Sequence, residues 1–381
     1  MLRRAVSTPD AHPTAAAIRA AGLSRGRRLR ATAPAIAQTA IAAALAWFAA
    51  TELVGHPAPF FAPVSAIIAL GIVVGQRARR AAELTLGVAV GVAVADALVI
   101  LLGSGTLQIA LVVAIAMLSA VALGGTRLVV GQAASSAVLV ATIDVPTSFD
   151  VARPIDALVG GGVAVLVHYL LPIDPVRLAR RHAGPLLDRF ALALDEVAAA
   201  LDRADHDAAV EALVAMRDLE GAVTAFGEAT VSGVETARYS PLRRRERTVV
   251  KRYAIAAPEI DLAVRNARVL ARGVVRAADL EAHIPPEAPG GVRDLAAAVR
   301  ALRAALEDPA LVVDARGTAL QAAAGATLAL ERTSNLSVSV IIGQVRSIAT
   351  DLLRALGTTQ DAAADAIRQA AAGAAAAEAH R

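Results

Sequence analysis

Up to Leu171 the chain alternates between long apolar runs and short polar breaks, whereas from Pro172 onward charged residues recur every few positions. A helix needs about 20 mainly apolar residues to cross roughly 30 Å of membrane hydrocarbon. Six runs reach or approach that length, so the pattern predicts six transmembrane helices. The predicted helices are residues 33–54, 58–75, 84–102, 106–124, 128–143 and 155–171.

The charges between these runs predict how the helices are oriented. Arginines gather before the first run and after the second, fourth and sixth runs, and these breaks therefore belong to one side. The breaks of the other side carry Glu52, His56, Asp144 and Asp150, with Arg153 as their single arginine. Because arginine-rich loops remain cytoplasmic, we expect both termini in the cytoplasm. Basic residues are almost all arginine and alanine is abundant, which is typical of a GC-rich bacterial genome, so the expected location is a bacterial inner membrane.

After Pro172 the apolar positions recur at helical spacing, as at Phe190, Leu194, Val197 and Leu201. The fold class predicted is all-α, an integral membrane six-helix bundle followed by a cytoplasmic α-helical bundle. The predicted divisions are a mobile basic cytoplasmic arm at 1–30, the transmembrane domain at 31–172, the cytoplasmic domain at 173–357 and an Ala-rich tail at 358–381 that frays. Helices of the cytoplasmic domain are expected from Gly184-Pro185, over 207–236, from Ser240-Pro241, and over 291–307, 311–333 and 336–356.

Composition narrows the classes of function. The net charge of +4 is small, and the arginines flank apolar runs, so membrane topology explains them and no nucleic-acid partner is expected. The chain has no cysteine, which excludes disulfides, thiolate metal sites and cysteine nucleophiles. Histidines are scattered singly and no nucleotide-binding or hydrolase motif is present, so we expect no metal, no cofactor and no enzyme activity.

Asp96 is the first candidate for a functional residue, because it lies deep within the third apolar run. A carboxylate near the middle of a membrane helix costs about 2.5–3.5 kcal/mol on insertion scales, so it faces the bundle interior or a wet path. Asp96 is turned about 140° from Gly91 around the helix, so the packing face and the polar face differ. Asp96 either couples transport to protons or substrate, or it makes only a structural hydrogen bond to another helix.

Further polar residues belong to three groups, each with two interpretations. Gln132, Ser135, Ser136 and Thr142 of the fifth run either line a pathway or only bond their own backbone and hold helices together. Near the outer surface, a solvated vestibule or a set of ion pairs would use Glu52, Asp144, Arg153 and Asp156. The break between the second and third runs carries a charged group on the cytoplasmic side. This group either receives an anion or forms local ion pairs at Glu83. Its members are Arg77, Arg79, Arg80 and Glu83.

Glycines spaced four apart predict close helix packing. The pairs are Gly71 with Gly75 and Gly87 with Gly91, and we expect the same role for Gly160, Gly161 and Gly162.

Several of these segments resemble the fusaric acid resistance (FUSC) and aromatic acid exporter family in its half-size form. The resemblance rests on residues 76–105, 131–140, 153–175, 239–245 and 263–272. It implies six membrane helices, a cytoplasmic helical domain, and export of aromatic or other organic acids driven by the proton gradient. Larger members contain two such halves, so the expected partners are the lipid bilayer, a small organic acid and a second copy of the chain.

Two other functions remain open from the sequence. A passive anion channel would share the same arrangement of helices and would move the anion without protons. A membrane-anchored interaction protein would use the cytoplasmic bundle to bind a partner and would move no solute.

Overall fold

The structure, a computed structural model, describes residues 15–73, 78–103, 105–143, 151–280, 284–285, 287–331 and 336–379. Within these ranges the chain forms helices and no strand, which confirms the prediction of an all-α fold. The chain divides into two compact units between Ile173 and Asp174. We call the unit that ends at Ile173 the membrane unit and the one that begins at Asp174 the C-terminal unit. The boundary predicted after residue 172 lies next to this division.

Within the described residues, the membrane unit contains six α-helices at the places that the apolar runs predict. They are α1 (Ala15–Ala49), α2 (Phe61–Val73), α3 (Ala78–Leu102), α4 (Thr106–Ala122), α5 (Arg127–Ile143) and α6 (Ala152–Leu170). A short π-helix, Ala50–Val54, extends α1. The first helix already begins within the segment predicted as a mobile arm, and residues 1–14 of that arm lie outside the described residues.

These helices differ in whether their length and apolar composition are sufficient to cross a membrane. Among the described residues, two segments, Thr32–Val54 and Ala82–Leu101, are long and apolar enough to cross a membrane alone. The apolar helices α2, α4 and α5 are shorter, and α6 meets the same criterion only when it is combined with the next helix. Six apolar helices are thus present, while six membrane crossings stay a prediction.

Glycines bring the backbones of α3, α5, α6 and α2 into close contact. A Cβ atom at Gly91 would lie 2.5 Å from the carbonyl oxygen of Ala133, and one at Gly87 would lie 2.9 Å from Cγ1 of Val129. A methyl group at Gly160 would likewise overlap the backbone of Ala62. The packing role is therefore confirmed at these three glycines.

The remaining predicted glycines differ from one another. A Cβ atom at Gly161 would overlap the side chain of Thr85, so this position is also a helix contact. An ideal Cβ at Gly162 meets nothing within 4 Å among the described residues. The predicted packing role of Gly162 against these helices is therefore wrong, because the position is exposed. Gly75 lies outside the described residues.

The C-terminal unit is formed by eight α-helices within the described residues. They are α7 (Pro175–Arg203), α8 (His206–Arg217), α9 (Glu220–Tyr239), α10 (Arg247–Asp279), α11 (Glu287–Glu307), α12 (Val312–Glu331), α13 (Leu336–Ala355) and α14 (Gln360–Ala379). Their buried faces share one hydrophobic core, in which Phe190, Phe226 and Tyr253 are among the largest side chains.

Three predicted boundaries in this unit need correction. The helix expected to open at Gly184-Pro185 begins at Pro175, where Asp174 accepts a hydrogen bond from the backbone N–H of Arg177 at 2.9 Å, and it continues through Pro185. The segment 207–236 forms two helices rather than one, since the chain turns at Asp218 and buries Leu219. The helix expected from Ser240-Pro241 starts as a 3-10 turn, and α10 begins only at Arg247.

The Ala-rich tail is helical as far as residue 379 in the part of the chain that the structure describes. It forms α14, and both Ala363 and Ile367 of this helix are buried in the core of the C-terminal unit. Alanine has the most favourable helix propensity of the common residues, so such a segment becomes a stable helix once it has apolar positions to bury.

Candidate functional site: a buried charge cluster in the membrane unit

The site is built where the end of α3 meets the start of α6. Thr85 of α3 packs at Gly161 of α6, and Asp96 of α3 pairs with Arg153 of α6. Residue numbers therefore rise along α3 as they fall along α6, so the two helices run antiparallel. This arrangement brings Asp96, near the last turn but one of α3, to the first turn of α6.

Asp96 and Arg153 form an ion pair inside the membrane unit. Nη1 of Arg153 donates to Oδ1 of Asp96 at 2.8 Å. The Asp96 side chain is fully buried, whereas that of Arg153 keeps 15% of its exposure. Removing a carboxylate from water requires a partner that is close and well aligned, and the guanidinium supplies one. Asp96 thus has the helix-to-helix contact that the structural interpretation predicts, and the same contact places an anion-binding group beside it.

A second pair joins His56 to Asp156. Nδ1 of His56 is in hydrogen-bonding contact with Oδ2 of Asp156, and the Asp156 side chain is fully buried while that of His56 is 17% exposed. The loop after the π-helix makes this contact possible, because Gly55 adopts a left-handed conformation with φ of 74° and reverses the chain. The sequence alone did not single out His56 as a site residue, since it is an isolated histidine in a polar break.

The two pairs form one cluster. Arg153 and Asp156 are three residues apart on α6 and therefore lie on neighbouring positions of one helix face. We call His56, Asp96, Arg153 and Asp156 the charge cluster. Its groups can hold or release a proton at an imidazole and two carboxylates, and they present one guanidinium that can bind an anion.

The register of α3 and α5 puts Ser136 on the same side of their contact as Asp96. The contacts of Gly87 with Val129 and of Gly91 with Ala133 continue by one turn to Ala95 and Ala137, which are buried in the same core cluster. In two parallel helices, the residue after Ala95 and the residue before Ala137 turn to the same side of the interface. Ser136 is 2% exposed and so joins Asp96 on one side of the α3–α5 contact.

The other predicted residues of α5 are less buried. Gln132 is half-buried. Ser135 is exposed and donates to the backbone oxygen of Gly131 at 3.0 Å. Bonds of this kind within one helix are common for serine in apolar helices.

The remaining predicted residues belong to the π-helix and to α3, or lie outside the described residues. Glu52 is exposed on the π-helix. Glu83 is half-buried on α3 and lies more than three helical turns before Asp96. Arg79 and Arg80 belong to the first turn of α3, while Arg77 and also Asp144 lie outside the described residues.

Comparison with known proteins gives the context of this site. Residues 41–167 match the family described as fusaric acid resistance protein-like, and this range includes every residue of the charge cluster. An uncharacterised protein of Corynebacterium glutamicum is 38% identical over 340 residues, which are 86% of each chain. The chain belongs to the fusaric acid resistance protein-like family. The membership inferred from the sequence is confirmed.

Other relatives of this FUSC-family protein carry a functional name. A protein of Mycobacterium tuberculosis and one of Mycobacterium bovis, both provisionally named arylamide transporter, are each 41% identical over 162 residues. The match covers 41% of this chain and 45% of each relative. At the coarsest level, the function of this FUSC-family protein is membrane transport.

The FUSC-family charge cluster is not arranged as a metal centre. Among the residues that the structure describes, no group of three or more His, Asp or Glu side chains could hold a metal ion. The cluster instead pairs each carboxylate with a basic group, which suits proton exchange and anion binding.

Proposed function

We propose that this protein is a secondary transporter that exports small organic acids, aromatic ones among them, with coupling to protons. The observation that carries the proposal is the fully buried Asp96 paired with Arg153 between two apolar helices. Ionisable residues at such positions mark the pathways of protons and substrates in membrane proteins. The resemblance to acid exporters supports the chemical class of the substrate and the direction.

In the proposed mechanism, Arg153 binds the carboxylate of the substrate. In the resting state its guanidinium is engaged by Asp96, so proton binding at Asp96 changes how strongly Arg153 attracts an anion. Asp156 stands one turn from Arg153 on α6, and its pair with His56 supplies a second protonation site. Proton binding and anion binding are then linked free energies, which is what coupled transport requires.

The test is transport by the purified protein in liposomes with a trapped pH dye. A panel of organic acids is added that includes phthalate, an aromatic dicarboxylate that crosses lipid poorly. We expect acid-dependent proton movement by the wild type and a loss of at least about tenfold in Asp96→Asn, which keeps the size but removes the charge. Asp202→Asn serves as the matched control, because Asp202 forms an exposed ion pair with Arg293 in the C-terminal unit.

The other outcomes identify the alternatives. Acid movement without protons, equal in wild type and Asp96→Asn, would contradict coupling and favour a passive anion channel. A folded wild-type protein that moves no acid would contradict transport and favour a membrane-anchored interaction protein.

A further inference from the structure

Ser65 of α2 is a buried hydroxyl without a partner among the described residues. The side chain is 1% exposed, and its Oγ atom makes no hydrogen bond in the part of the chain that the structure describes. A buried hydroxyl without a hydrogen bond destabilises the folded state, and alanine would occupy the same space without this penalty. Packing alone therefore does not explain a serine at this position.

The position of Ser65 on α2 is at the boundary between two packed faces. Phe61 and Ile68 belong to the hydrophobic cluster that α3 dominates, whereas Ala62 and Ala69 belong to the cluster shared with α1 and α6. Ser65 is turned about 60° or less from each of these four residues around the helix, with one pair on either side. Its hydroxyl is thus directed to the line where α2, α3 and α6 meet.

Two glycines of α6 allow α2 and α3 to approach α6 closely at this junction. Gly160 lies against the backbone of Ala62, one turn before Ser65, and Gly161 lies against the side chain of Thr85. The hydroxyls of Ser65 and Thr85 are consequently placed at nearly the same height along α6, close to its midpoint. Arg153 and Asp156 of the charge cluster lie in the first two turns of this helix, so the junction is deeper in the bundle.

We infer that Ser65 donates a hydrogen bond to the carboxylate of the transported acid, at a second binding position below the charge cluster. This inference rests on the proposed transport of organic acids. A carboxylate is an acceptor without protons, and a hydroxyl with a free proton forms a charge-assisted hydrogen bond to it. Ser65 is covered in this state, so the acid reaches it when α2 and α6 move apart, as in an alternating-access cycle.

The experiment compares phthalate transport by wild type and Ser65→Ala in liposomes over a range of concentrations. We expect KM to rise roughly tenfold or more in Ser65→Ala with a similar maximal rate, since a hydrogen bond to a charged group is lost. Thr39→Val is the matched control, because the Thr39 hydroxyl donates to the Ala35 backbone oxygen of its own helix at 2.9 Å. Its KM should equal that of the wild type.

A second measurement separates substrate binding from a structural role. The thermal unfolding midpoint of Ser65→Ala should equal or exceed that of the wild type, because an unpaired buried hydroxyl has been removed. A lowered midpoint, or an unchanged KM in a wild-type background that transports phthalate, would overturn the role of Ser65. Failure of the wild type to move any acid would instead contradict the proposed function itself.

Discussion

At the scale of single residues, the charge cluster combines stability with function. Breaking a buried ion pair by removing one partner costs about 3–5 kcal/mol, because the other charge stays buried and uncompensated. Asp96 and Arg153 therefore each need the other for the stability of the fold, independently of any role in transport. A neutral amide at Asp96 can still accept from Arg153, which makes Asp96→Asn a milder change than truncation.

Gly160 offers a sharp test of packing at one atom. A methyl group there would overlap the carbonyl oxygen of Ala62, which is backbone and cannot rotate away. We expect Gly160→Ala to destabilise the protein by about 1–3 kcal/mol, as overpacking of a filled interior does. The measurement is the thermal unfolding midpoint of the purified protein in detergent.

Gly162 provides the control on the same helix. An ideal Cβ atom at Gly162 meets nothing within 4 Å. Gly162→Ala should be neutral or stabilise by about 0.5–1 kcal/mol, the ordinary gain of alanine over glycine in a helix. Equal midpoints for the two variants would contradict the close approach of α2 and α6.

At the scale of helices, α3 is central in the membrane unit because two of its faces contact different helices. Gly87 and Gly91 face α5, while Thr85 and Asp96 face α6. The offset of about 140° between Gly91 and Asp96 along a regular helix accounts for this division. One helix thus holds the bundle together and contributes an acid to the candidate site.

In the C-terminal unit, the contact between α10 and α13 contains a titratable group. Asp351 is 6% exposed and accepts a hydrogen bond from Nδ2 of Asn266 at 2.7 Å. Arg354 pairs with Glu259 at 2.8 Å on the same two helices. Burial raises the pKa of Asp351 to about 6, against the opposing effect of the Asn266 hydrogen bond, with a smaller contribution from Glu259.

This pKa predicts how stability depends on pH. The carboxyl of Asp351 binds its proton more tightly in the folded than in the unfolded chain, so its contribution favours folding at low pH and is lost as pH rises through about 6. Asp351→Asn should then be more stable than wild type above pH 7 by up to about 3 kcal/mol, and the difference should vanish near pH 4. Unfolding midpoints measured across this range test the expectation.

The control for this titration is an exposed acid of the same unit. Asp202→Asn should shift the midpoint little at any pH, because Asp202 lies at the surface. If wild type and Asp351→Asn showed parallel pH profiles, the carboxyl of Asp351 would not be the responsible group.

At the scale of the whole molecule, the open question is how the six apolar helices cross the membrane. Helix α4 is a good probe, since it has only 17 residues and belongs to the shorter group. The positive-inside pattern predicts that its start faces outward and its end faces the cytoplasm. Because the natural chain has no cysteine, single cysteines can be introduced at Thr106 and Leu123, which are both exposed.

We expect a membrane-impermeant maleimide to label Thr106→Cys in intact cells and to label Leu123→Cys only after the membrane is opened. The cysteine-free wild type gives the background signal. Labelling of both positions from outside would show that α4 does not span the membrane, and the reverse pattern would show inverted orientation.

The helix bounds predicted from the sequence agree best with the structure where the apolar run of one helix alone sets those bounds. The bounds predicted for the fifth and sixth membrane helices, 128–143 and 155–171, lie close to Arg127–Ile143 and Ala152–Leu170. In the C-terminal unit the single predicted helix over 207–236 was wrong, since the turn at Leu219 depends on a core that forms only on folding. Local apolar periodicity does not record such a turn.

The sequence by itself determined the all-α class, the six apolar helices and the family. Long apolar runs form helices because only internal hydrogen bonds can satisfy their backbone groups away from water. The tertiary structure alone decided which polar groups meet. His56 and Asp156 are separated by 100 residues, and Asp96 and Arg153 by 57, so their pairing depends on helix rotation and register. Side-chain contacts between helices arise from these packed geometries, and a linear pattern does not contain them.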